Sequence, residues 1–100
     1  MGLVKVATTE ELKDGQGKVV QANGKTLALF RQGGHFFAMD NTCLHRGGPL
    51  GEGELSGEVV TCPWHGWQYN IKTGVSPVSP AVKVQTFPVK VEGQDVFVQV

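Results

Sequence analysis

The sequence predicts an all-β domain, either a small antiparallel sandwich or a partly closed barrel. Short valine-rich or alternating segments recur along the whole chain, turn dipeptides separate them, and no segment sustains a helical period. The strand-like segments are Leu3–Ala7, Lys18–Gln21, Thr26–Arg31 and His35–Met39. They continue at Val59–Thr61, Gln68–Ile71, Val82–Thr86, Val89–Glu92 and Asp95–Val100. Asn23-Gly24, Gly33-Gly34, Thr73-Gly74 and Glu92-Gly93 fall between them, the residues that tight hairpin turns select. Thr9 to Leu12 can form one helical turn, with Thr8 or Thr9 as its cap.

One hundred residues make one domain, expected to span 1–100. A core this small gains from a metal that ties loops together. Hydrophobic content of 40% and charged content of 18% are those of a globular protein, which sets disorder aside. Net charge is zero and the basic residues are scattered singly, so no stripe exists to hold nucleic-acid phosphates. No apolar run approaches the roughly 20 residues needed to cross a bilayer. The first residues read neither as a signal peptide nor, with Val6 in place of Ser or Thr, as a myristoylation site. A cytoplasmic protein is expected, monomeric and without a membrane partner.

The chain has two cysteines, and each stands beside a histidine: Cys43-Leu44-His45 and Cys62-Pro63-Trp64-His65. Without an export signal, a metal site is a better reading of them than a disulfide. Thiolate and imidazole bind zinc, copper and iron–sulfur centres. A closed zinc Cys₂His₂ site, serving an interaction domain, is the competing reading, but zinc patterns pair Cys with Cys and His with His. Here each element is mixed. If residues 43–45 are extended, their side chains leave one face roughly 6–7 Å apart, a span that suits two adjacent metals. A tight turn would close that span, so both readings stand at this point.

Cys-x-His, sixteen residues, then Cys-x-x-His resembles the Rieske motif, in which two His replace two Cys on one iron of a [2Fe–2S] cluster. Cys62-Pro63-Trp64-His65-Gly66-Trp67, with Lys72-Thr73-Gly74 beyond it, is similar to the second cluster loop and hairpin of soluble Rieske ferredoxins. The segment from Gly74 to Pro80 resembles the proline-containing loop that covers the cluster in that family. The resemblance implies a Rieske-like fold with an inserted cluster-binding part at about 41–81. It also implies one [2Fe–2S] cluster, with Cys43 and Cys62 on the inner iron and His45 and His65 on the outer. Gly47, Gly48 and Gly66 are then expected to let backbone approach the cluster and to aim N–H groups at sulfur. Trp64 would shield the cluster and Pro77 belongs to the covering loop. Thr61 and Asn41 receive no role.

Departures from respiratory-complex Rieske proteins are informative. Gly48 and Trp64 stand where those proteins carry the two cysteines of a bracing disulfide, and Trp67 stands where they carry a serine. Tyr69 matches their tyrosine, whose hydroxyl bonds a cysteine sulfur. Losing two such devices and keeping one implies a potential in the lower half of the roughly −150 to +300 mV family range. Three histidines cannot furnish both a cluster and a two-histidine mononuclear iron site, so an electron carrier is expected rather than an enzyme. The implied partners are a reductase and a terminal oxygenase. The small subunit of an assimilatory nitrite reductase, which shares the fold, is the second placement.

Overall fold

Alternating and valine-rich segments pair where their turns direct them. The computed structural model describes residues 2–42, 49–63, 66–79 and 81–100. The strands are β1 (Leu3–Thr8), β2 (Gln16–Ala22), β3 (Lys25–Gln32), β4 (His35–Asp40), β5 (Glu54–Ser56), β6 (Val59–Thr61), β7 (Gln68–Asn70), β8 (Thr86–Phe87), β9 (Val89–Glu92) and β10 (Asp95–Gln99). Asn23 and Gly24 both take positive φ, 52° and 79°, in the two-residue turn that joins β2 to β3. That conformation matches the strands' twist and explains the dipeptide.

The described strands form three antiparallel sheets, ordered β1-β10-β9, β2-β3-β4-β8 and β5-β6-β7. The second lies between the other two. Along β3, Leu27 and Leu29 enter one core with Val20, Ala38, Val96 and Val98, while Ala28 and Phe30 enter another with Met39, Val60 and Tyr69. A strand covered on both faces must be apolar at every position, and Leu27-Ala28-Leu29-Phe30 is. The β1-β10-β9 sheet and the central sheet make the expected sandwich. The third sheet is inserted between β4 and β8, which pair directly with each other through Ala38–Phe87 and Met39–Thr86.

Two local expectations change. Val82–Thr86 does not form one strand; only Thr86 and Phe87 join a sheet. The residues before them bond to the covering loop instead, with the Val84 N–H donating to the Gly74 carbonyl (2.9 Å) and the Ser76 N–H to the Val82 carbonyl (2.8 Å). β5 and a 3₁₀ turn at Leu50–Glu52 appear in a segment that reads as loop, because three residues among glycines carry no usable period. The turn at Thr9–Glu11 is present, and the Glu11 carboxylate accepts from the Thr8 N–H at 2.8 Å. Lys18 and that N–H hold the Glu11 carboxyl below its ordinary range.

Candidate metal centre

β4 ends at Asp40, and the next residue turns the chain. The Asn41 carbonyl accepts from the Leu50 N–H and its side-chain Oδ1 accepts from the Gly51 N–H, both at 2.7 Å. Thr42 and Pro49 form an isolated bridge just outside that clasp. Thr42 and Pro49 are therefore held side by side. Gly51 fixes the clasp to β2. A Cβ there would stand 2.8 Å from the Lys18 carbonyl and 2.9 Å from Val19, so only glycine permits the approach.

The second stem is the β6–β7 hairpin. Its ladder runs from Val60–Tyr69 through Thr61–Gln68 and continues one step, with the Cys62 N–H donating to the Trp67 carbonyl at 2.6 Å. Side chains alternate, so Val60, Cys62 and Tyr69 share a face. All three are buried, Cys62 at 2% exposure and Tyr69 at none. Leu50, from the first stem, enters the same core. Leu50 of the first stem and Val60, Cys62 and Tyr69 of the second thus share one apolar base.

The covering segment closes beside the second stem. The Asn70 N–H donates to the Val75 carbonyl (2.8 Å), and buried Ser76 accepts at Oγ from the Val78 and Ser79 N–H groups (3.3 Å each). Pro77 is exposed at its tip. Gly66, Trp67, Val78 and Ser79 line one groove, which places this loop against the Cys62 hairpin.

Of the predicted ligands, Cys62 is described; Cys43, His45 and His65 lie outside the described residues, as do Gly47, Gly48 and Trp64. Among the described residues no group of three or more His, Cys, Asp or Glu side chains could hold a metal ion. The Gly66 N–H donates to the Cys62 carbonyl at 3.1 Å, which closes the turn after the ligand hairpin. Tyr69 stands on the Cys62 face, where a hydroxyl can serve a sulfur. Asn41, given no role from sequence, is the clasp of the first stem. An amide-bearing residue at a strand end, two before a candidate ligand, was the available signal.

The donor set that the sequence offers, two Cys and two His, has the chemistry of a two-sulfur, two-nitrogen cluster. Cys62, the donor of that set among the described residues, is a thiol buried among apolar side chains, which suits a sulfur ligand shielded from water. Comparisons with known proteins show the family. The Rieske [2Fe-2S] domain model matches residues 2–88. The ferredoxin component of a naphthalene 1,2-dioxygenase/salicylate 5-hydroxylase system from Ralstonia sp is 31% identical over 97 residues, 96% of this chain and 93% of that protein. The biphenyl 2,3-dioxygenase ferredoxin component of Rhodococcus jostii is 35% identical over 99 residues, 98% of this chain and 92% of its own. A chain in the solved complex of reduced oxygenase and oxidized ferredoxin in carbazole 1,9a-dioxygenase superposes with a TM-score of 0.87 at 35% identity, over 96% of this chain and 100% of that one.

Proposed function

Because the chain belongs to the Rieske [2Fe–2S] domain family, we propose that Cys43, His45, Cys62 and His65 hold its cluster and that it delivers electrons to a terminal oxygenase. The family gives it one [2Fe–2S] cluster and the work of an electron carrier within an oxygenase system, not of a catalyst. When bound, such a cluster accepts and releases one electron at a time. The chain's residues supply the rest. Cys62, buried between the two stems, would anchor the inner iron and keep water from it. The Asn41–Gly51 clasp would hold the Cys43 and His45 loop in place. Tyr69 would donate to a cysteine sulfur and favour the reduced state, while Pro77, in the exposed loop beside the Cys62 hairpin, would belong to the cover.

The observation that carries the reading is the burial of Cys62 where the β6–β7 ladder ends. A ferredoxin acting among cytoplasmic enzymes, as a monomeric domain of residues 1–100 with its cluster part at about 41–81, completes the proposal. In the described residues no helix is long and apolar enough to cross a membrane. A reconstituted system of reductase, this chain and a Rieske oxygenase tests it. Substrate turnover that requires the chain, and is lost with Cys62→Ser, is expected. Turnover unchanged by omitting the chain would contradict it. Electron delivery to a nitrite reductase alone would favour the second placement.

A further inference from the structure

Asn41 and Ser76 are the buried polar side chains among the described residues. The clasp accounts for Asn41. Ser76, 4% exposed, is accounted for only in part. A serine hydroxyl accepts twice and donates once. Its Oγ accepts from the Val78 and Ser79 N–H groups at 3.3 Å each, which uses both lone pairs. Its proton has no acceptor among the described residues. A buried hydroxyl rarely leaves its proton unused, because the desolvated O–H then goes uncompensated. Position narrows the choice of acceptor. The Asn70 N–H donates to the Val75 carbonyl, so the covering loop runs back along β7, and Ser76 comes one residue nearer the ligand end than that bond. Ser76 shares one gap with Gly66, Trp67 and Gln68 of the Cys62 hairpin. Its backbone is fixed there: the Ser76 N–H donates to the Val82 carbonyl at 2.8 Å, and Gly74 lies so close to Val84 that a Cβ would collide with the Val84 carbonyl.

We propose that Ser76, from the covering loop, donates its hydroxyl hydrogen bond to a sulfur of the [2Fe–2S] site and so raises the reduction potential. The inference rests on the cluster reading above and adds a second hydroxyl to Tyr69, on a different element. A site of two thiolates and two neutral imidazoles is uncharged when oxidised and carries one negative charge when reduced. A hydrogen bond to sulfur therefore strengthens on reduction, and losing it lowers the potential. Opening the cover acts the other way, because water also favours the more charged form. The sign of the change separates donation from mere support of the loop.

Ser76→Ala removes one oxygen atom, and the two N–H groups it leaves belong to exposed Val78 and Ser79, where water can take its place. Protein-film voltammetry on the anaerobically purified holo-protein should show a one-electron reduction constant about tenfold smaller in Ser76→Ala, a fall of about 59 mV. Ser76→Thr keeps the hydroxyl and should stay within about twofold of the unaltered chain. Iron and acid-labile sulfide content should be the same in all three. A potential that rises in Ser76→Ala would assign Ser76 to holding the cover, and one that stays within about twofold would assign its hydroxyl to water; either overturns the proposal. A Ser76→Thr potential that falls as far as that of Ser76→Ala would overturn it as well. An unaltered chain that carries no iron would overturn the cluster reading, and Ser76 with it, whereas an iron-loaded Ser76→Ala with an unlowered potential leaves the cluster standing and removes Ser76 alone.

Discussion

Replacing Asn41 with alanine should loosen the first ligand loop while leaving both cores packed. Asn41 is 8% exposed, and its Oδ1 accepts from the N–H of buried Gly51 at 2.7 Å. Alanine leaves that N–H without its acceptor and away from water. An unsatisfied buried donor costs about 1–3 kcal/mol. Taking about 2 kcal/mol, a domain of this size melts roughly 8–16 °C lower. Thr42→Ala is the matched control. Thr42 is exposed, its bridge to Pro49 uses backbone atoms, and surface changes stay within about 0.5 kcal/mol. Melting is followed by circular dichroism and, in parallel, by the visible absorbance of the cluster under anaerobic conditions. The absorbance of Asn41→Ala should fade before the β-sheet signal does, because the clasp serves the loop more than the sheets. An Asn41→Ala protein that melts within about 2 °C of the unaltered chain would refute the clasp.

Tyr69→Phe removes only a hydroxyl, and if that hydroxyl bonds a cluster sulfur the potential should fall by about 45–65 mV, the equivalent of about 1–1.5 kcal/mol for one electron. Protein-film voltammetry reads it, and an unchanged potential would mean that Tyr69 serves another acceptor. Gly51→Ala should cost about 1–3 kcal/mol in chemical denaturation, since its new methyl meets the Lys18 carbonyl and Val19; full stability would show that β2 yields. The Glu11 carboxyl should titrate below an ordinary glutamate by NMR, because Lys18 and the Thr8 N–H favour its charged form. A depressed folded-state pKa stabilises above the unfolded value and is lost as pH falls through the folded one. Glu11→Gln should therefore be less stable than the unaltered chain near neutrality and equal to it in acid.

Most strands are legible in the sequence because their chemistry is local. Asn23-Gly24 marks the turn between β2 and β3, and the valines of β1, β9 and β10 alternate along their own strands. The double burial of Leu27 to Phe30 is not legible, since a continuous apolar run does not say which layers will cover it. β5 is too short to carry a period. The four ligand candidates stand out because spacing alone identifies a Cys/His pair. Asn41 and Gly51 do not, because the clasp exists only once Leu50 and Gly51 have been folded back against the end of β4. The role of Gly66 is likewise a hydrogen-bond question, and its N–H goes to a carbonyl that sequence does not single out.

The cluster itself admits the most direct measurement. Protein purified anaerobically should contain two irons and two acid-labile sulfides per chain. On reduction with dithionite it should give the EPR spectrum of a [2Fe–2S] centre with the low average g-value that histidine ligation produces, and Cys62→Ser should abolish both. A colourless protein that binds one zinc ion through the same four residues would contradict the account.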